Sequence, residues 1–293
     1  MGGTPGRHTG WVSHPYAREL GEFLRARRGR LQPEDVGLEP GGRRKVAGLR
    51  REELALLAGL STDYYQRMEQ GRELRPSDEV LTALAAALGL DDAERRHLFT
   101  LARAARRPMP VAVERTPESV PDSTRRLLAA MDAPAIVLGR HLDVLHWNRM
   151  AELLLGDFTA IPRDRLNLLL LVFDEVQATE WGCPEWERHA QDYIAMMRAS
   201  IATDPTHPRA TELIGELSIR SSAFRALWAR HDVGATTSGT RVYFSPEVGE
   251  ITLDWDTYPL PGNPGPVMLV FTADPGTPDA DRLRLLAHRS HQS

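Results

Sequence analysis

The residues best placed to do chemistry cluster between positions 50 and 75. In TDYYQRMEQ, Tyr65 and Met68 lie three apart on a short helix, which turns Thr62, Asp63, Tyr64, Gln66 and Arg67 to the opposite side. An arginine so placed can donate two hydrogen bonds to O6 and N7 of a guanine, worth about 1–3 kcal/mol of discrimination. The plainer use of Arg67 is an ion pair with Asp63 four residues back, worth a few tenths of a kcal/mol on a helix. Thr62 suits a thymine methyl and Asp63 a cytosine amine, although either residue can equally cap the helix. Gln66 suits a base edge or a phosphate. Arg50 and Arg51 stand at the start of the preceding helix, where the backbone N–H groups also favour an anion. Gln70, Arg72 and Arg75 follow as a second phosphate-directed group. The chemistry this pattern supports is recognition of double-stranded DNA.

Catalysis has weaker support. The ten histidines lack useful spacing: His141 and His146 flank a strand, His207-Pro208 is isolated, and His231-Asp232 reads as a helix end or surface pair. Asp254 and Asp256 share one face of a strand without a third ligand. There is no HExxH, paired CxxC, GxSxG elbow or glycine-rich phosphate loop. The chain is therefore read as a non-enzyme without metal or cofactor. A catalytic C-terminal half would instead require a polar cleft with perturbed titrating groups.

Helices must position the DNA-facing residues. Leu54, Ala55 and Ala58 give Arg51–Ala58 an apolar face. Gly59 ends that helix by taking a positive φ, Leu60 is expected to plug the turn, and Ser61 is the N-cap of the next helix. Upstream, Tyr16–Leu31 is amphipathic through Leu20, Phe23, Leu24 and Leu31, and Pro33–Gly48 reads as an irregular connection carrying Arg43-Arg44-Lys45. Downstream, Pro76 and Ser77 start a helix with Val80, Leu81, Leu84, Ala85 and Leu88, stopped at Gly89. Asp91 and Glu94 form a capping box for a fifth helix, with Leu98, Phe99, Leu101 and Ala102 inward. The expected organisation is a disordered tail over 1–14, a helix-turn-helix domain over 15–105, a proline-rich linker over 106–121 and a second domain over 122–288.

The second domain reads as a helix (Thr124–Met131), a hairpin around Gly139-Arg140-His141, and a helix opened by Asn148 and closed by Gly156. An apolar run (Arg165–Phe173) and helices at Glu185–Ala202, Arg209–Gly215 and Ser222–Arg230 follow. Strands at Gly239–Phe244, Gly249–Tyr258 and Pro266–Thr272 precede a last helix at Pro278–Ala287. Hairpin and meander can complete one antiparallel sheet, an α+β module.

Charge divides the chain similarly. Up to Arg107 there are 19 Lys and Arg against 15 Asp and Glu, and beyond it 17 against 25, so the net charge of −4 hides a basic front and an acidic back. Only the front suits a polyanion. Cys183 is the single cysteine, which excludes an internal disulfide and points to a reducing compartment. No apolar run approaches the ~20 residues that span a bilayer. A cytoplasmic protein with no membrane partner is expected.

The stretches GLRREELALLAGLSTDYYQRMEQGR and RPSDEVLTALAAALGL resemble XRE-family helix-turn-helix regulators of actinobacterial type. PAIVLGRHLDVLHWN, AFRALWARHDV, EVGEITLDWDTYPLPG and LVFTADPG resemble the MmyB-like ligand-binding domain found in such proteins. The resemblance covers Tyr16 to Ala287. It implies a multidomain transcription factor, with an all-α, lambda-repressor-like bundle followed by an α+β, PAS-like domain built on an antiparallel sheet. It further implies a homodimer on a DNA operator and a small apolar ligand such as a fatty acid. The candidate ligand-binding residues are Trp147, Asn148, Arg220, Trp228 and Tyr258. The alternative is an antitoxin-like or other protein-interaction regulator with no small-molecule ligand.

Overall fold

The helix-turn-helix expected around Gly59 is present in the computed structural model, which describes residues 14–39, 48–73, 75–106, 118–174, 185–233, 237–245, 247–261 and 265–290. The Arg43-Arg44-Lys45 run, Cys183, residues 1–13 of the expected tail and residues 107–117 of the expected linker lie outside the described residues. The chain divides into two compact units, Met1–Ala112 and Val113–Ser293.

The first unit contains α1 (Pro15–Arg30), α2 (Arg51–Leu57), α3 (Thr62–Glu69), α4 (Asp78–Ala87) and α5 (Asp92–Ala105). Its core collects Leu20, Phe23 and Leu24 from α1, Leu54 and Ala55 from α2, and Tyr65 and Met68 from α3. Leu81 and Leu84 from α4 and Leu98 and Leu101 from α5 complete it. The helix starts are set as their sequences dictate. Ser61 Oγ accepts from Tyr64 N–H at 3.2 Å and Ser77 Oγ from Val80 N–H at 3.4 Å, while Asp91 and Glu94 cap each other's N–H at 2.8 and 3.1 Å. Gly59 turns at φ 66°.

Four details differ from expectation. Leu60 is only half-buried, because backbone bonds close the turn: Leu60 N–H reaches Ala55 O at 2.8 Å and Gly59 N–H reaches Leu56 O at 3.1 Å. Leu31 lies just past α1, in extended backbone. Phe99 is half-buried, with the Arg95 and Arg103 guanidiniums over its ring. The connection after α1 begins with a 3-10 turn, Pro33–Val36, where Gln32 N–H donates to Asp35.

The second unit is built on β1 (Ala135–Leu138), β2 (Val144–Trp147), β3 (Ser238–Ser245), β4 (Gly249–Pro259) and β5 (Val267–Thr272). They form one antiparallel sheet in the order β2-β1-β5-β4-β3, which is the joining of hairpin and meander expected from the sequence. The helices are α6 (Asp122–Ala129), α7 (Arg149–Leu155), α8 (Leu168–Val172), α9 (Trp186–Ile201), α10 (Pro208–Arg220), α11 (Ser222–Ala229) and α12 (Pro278–Ser290). Alternation gives the sheet two faces. Ile136, Ile251, Leu253, Trp255, Leu269 and Phe271 join residues of α7–α12 in the main core. Ala135, Val137 and Val270 meet Leu128 of α6 on the other face.

Here α10 runs five residues beyond the expected Gly215. His207 provides its N-cap and Pro208 its first turn, where a missing N–H costs nothing. Both ends of the expected linker are ordered. Arg106 caps α5 and pairs with Asp78 at 2.9 Å, and Val120 is buried against Leu128 and Leu260.

Candidate functional site

Two places in the chain have the makings of a site, one in each unit. In the first, the buried pair Tyr65 and Met68 pins α3 to the core, so Thr62, Asp63, Gln66 and Arg67 are exposed and Tyr64 half-exposed. Arg67 Nη1 donates to Asp63 Oδ2 at 3.0 Å, and its guanidinium lies 5.6 Å from the Tyr64 ring centroid. This exposed pair is worth little and can be exchanged for a stronger bidentate contact to a base. Gln70, Arg72 and Arg75 are exposed directly after α3. Arg50 precedes α2 and is half-exposed, 3.5 Å from Glu52.

Arg51 differs. Its Nε donates to Glu69 Oε2 at 2.7 Å, so the charge read as phosphate-directed is spent first inside the bundle. Glu69 also accepts from Arg28 Nε at 2.6 Å and Tyr65 Oη at 2.8 Å, and its side chain is 1% exposed. Burial opposes its ionisation, yet the bonds from Arg28, Arg51 and Tyr65 outweigh that and hold the carboxyl below its usual range. Glu69 thus ties α1 and α2 to the helix that presents the polar face. Sequence reasoning missed it, although its spacing of four from Tyr65 already placed a carboxylate on the buried side of α3.

In the second unit a cavity of about 420 Å³ lies between α9 and the sheet. Met196, Ala199, Ser200 and Thr203 line it from α9; Leu142, Thr257 and Val267 face them, with Gly139, Arg140, Thr237 and Gly265 at other parts of the wall. The volume suits a small molecule, and the surface offered to it is mainly apolar, although Arg140, Ser200 and three threonines stand among the lining residues. Beyond Met196 a space of about 10 Å³ is bounded by His189, Asp192, Arg241 and Tyr243, room for about one water. There Arg241 pairs with Asp192. Burial, reinforced by Arg241, lowers the His189 pKa to about 4 and keeps the ring neutral.

The five ligand-binding candidates do not converge on this cavity. Asn148 is a structural lock. Its Oδ1 accepts from Ala135 N–H and Ala151 N–H, each at 3.0 Å, and its Nδ2 donates to Ala133 O at 2.8 Å. Trp147 lies beside it, and both line a separate cleft of about 420 Å³ with Arg125, His146 and Arg149; the Trp147 Nε1–H is taken by Glu152 at 3.0 Å. Arg220 is a surface residue bound to Glu216 at 2.6 Å. Trp228 stacks on Phe224, with the Arg198 guanidinium 4.0 Å from its ring. Tyr258 is 50% exposed because it falls on the sheet face opposite Trp255 and Thr257. The alternation Ile251, Leu253, Trp255 carries the signal that would have chosen Thr257 over Tyr258.

His207 is not isolated: its ring centroid stands 4.1 Å from that of the buried His141. Burial, with His207 adding to it, lowers the His141 pKa to about 4. Among the described residues no cluster of three or more His, Cys, Asp or Glu could hold a metal ion, and no helix is long and apolar enough to cross a membrane.

Comparison with known families agrees with this division. A model described as the MmyB-like transcription regulator ligand binding domain matches residues 120–286, and a helix-turn-helix domain model matches residues 19–98. Neither description is that of an enzyme. Among curated proteins none matches the chain.

Proposed function

We propose, from the premise that this chain belongs to the MmyB-like transcription regulators and carries a helix-turn-helix domain, that it is a ligand-responsive reader of a DNA operator. In this reading α3 enters the major groove of one half-site. A second copy reads the other, about 34 Å or a multiple of it along the duplex. The cavity beside Met196 holds a small lipophilic molecule, with a fatty acid as the first candidate. Its differential affinity for two arrangements of the dimer changes operator affinity.

The observation that carries the ligand part is the cavity of about 420 Å³ within the matched ligand-binding domain. A pure protein-interaction regulator would instead need an exposed apolar patch and no ligand-sized pocket in this domain. Mass spectrometry of the native protein tests the choice. A retained lipophile supports the sensor, and a domain repeatedly free of one, with a co-purifying protein, sinks it. Met196→Trp should fill the cavity and weaken decanoate or decanol binding at least tenfold. The overpacking should cost about 1–3 kcal/mol of stability. Calorimetric titration checks the first effect and thermal unfolding the second.

For the DNA part, Arg67→Ala should cost about 1–3 kcal/mol at one base position and relax preference there. Arg72→Ala should weaken binding to all sequences alike and lower the slope of log affinity against log salt by roughly one unit. Operator titrations over a salt series distinguish the two. Binding unchanged by either substitution would mean that another face of the bundle meets DNA.

A further inference from the structure

Glu118 is the first described residue of the second unit, at the end of the stretch that leads from the helix-turn-helix unit. Its carboxylate accepts from the Arg140 backbone N–H, at 3.1 Å for Oε1 and 3.0 Å for Oε2. Two glycines make room for it. A Cβ on Gly139 would stand 2.2 Å from Glu118 Oε2, so the carboxylate would have to shift from its present place. A Cβ on Gly265, whose φ is 140°, would stand 3.2 Å from Glu118 Oε1 and 3.0 Å from Arg140 Nε. Glu118 and the Arg140 side chain therefore lie against the same bare patch of backbone. Gly139, Arg140 and Gly265 are also wall residues of the 420 Å³ cavity. The Glu118 carboxylate and the pocket thus share Gly139, Arg140 and Gly265 as immediate neighbours. Burial pushes the Glu118 carboxyl up, and the Arg140 N–H and charge offset this only in part.

We propose that Glu118 is the coupling residue of the sensor: its seat on the Gly139–Arg140 turn and occupancy of the cavity compete for the same residues, so ligand binding releases Glu118 from that seat. The inference rests on the cavity being the ligand site. An occupant packed against Arg140 draws that side chain from Gly265, and Glu118 loses the surface it rests on. Linkage is reciprocal, so whatever unseats Glu118 must strengthen ligand binding by the factor with which ligand unseats Glu118.

The test uses the full chain, with decanoate and decanol as probes so that a charge effect is separated from simple filling. Glu118→Ala and, independently, Gly139→Ala should bind both probes about fivefold or more tighter than wild type, within the usual range of coupling. Hydrogen exchange at the Arg140 amide should be fast in Glu118→Ala, and in wild type it should accelerate when either probe is added. Operator affinity should respond to probe in wild type and not in Glu118→Ala. Equal probe affinity in wild type and Glu118→Ala overturns the coupling and leaves the cavity reading intact; so does an operator response that survives in Glu118→Ala. A wild type that binds neither probe overturns the cavity reading and the coupling with it.

Discussion

Glu69→Ala should destabilise the helix-turn-helix unit by about 3–5 kcal/mol, the cost of breaking a buried ion pair by removing one partner. Arg28, whose side chain is 10% exposed, would keep its bond to Leu49 O at 2.6 Å but lose its counter-charge. Arg51 and the Tyr65 hydroxyl would lose their shared acceptor. For a unit of this size each kcal/mol moves the unfolding midpoint by about 4–8 °C, so the transition of this unit should fall by roughly 12–40 °C. Replacing both charges, as in Arg28→Met with Glu69→Met, should cost less than the sum of the single substitutions, because no charge is then stranded on that pair. Glu69 does not face outward with Arg67, so operator specificity should persist below the lowered midpoint.

The same residue sets a pH dependence. Its folded pKa lies below the ordinary 4.5, so its stabilisation is fully present above that value and is lost as the pH falls through the lower, folded one. Acid unfolding of the wild-type unit should therefore steepen below about pH 4.5, and Glu69→Ala should lack that component. A loss below 1 kcal/mol in denaturant unfolding would show that the carboxylate is not the tie between α1, α2 and α3.

Asn148→Ala should cost the second unit about 3–7 kcal/mol. Loss of the α7 cap contributes roughly 1 kcal/mol, and each buried backbone group left without a partner contributes about 1–3 kcal/mol. Those groups are the Ala135 N–H and the Ala133 carbonyl, held at 3.0 and 2.8 Å by a side chain 6% exposed. Asn148→Asp should be no better. It keeps the acceptor but sets a carboxylate against the carbonyls of Leu128, Met131 and Ala133 that the amide now serves. Were Asn148 instead a ligand partner, the alanine variant would lose probe affinity at unchanged stability. Thermal unfolding and probe titration below the midpoint separate these outcomes.

These two asparagine and glutamate positions mark the limit of legibility. Asn148 was readable as an N-cap, and it is one; its other bonds reach back to residues 128–135 across the sheet. Glu69 could be placed from its spacing only on the buried side of α3, and its chief partner lies 41 residues earlier. In both cases the local role was visible and the long-range role was not.

By itself, the sequence determined everything set by neighbours along the chain. That covers the capped helices, the glycine turn between α2 and α3, the exposed polar face around Arg67, the alternating strands and the resemblance that the family match bears out. Helical and strand periods and caps act over a few residues, so they can be read in order. Tertiary structure alone decided which charges are internal, and that Arg140, Leu142, Met196, Thr203, Thr257 and Val267, far apart in the chain, line one pocket. Those outcomes depend on which surfaces meet after the chain has folded back on itself, and no local period encodes that.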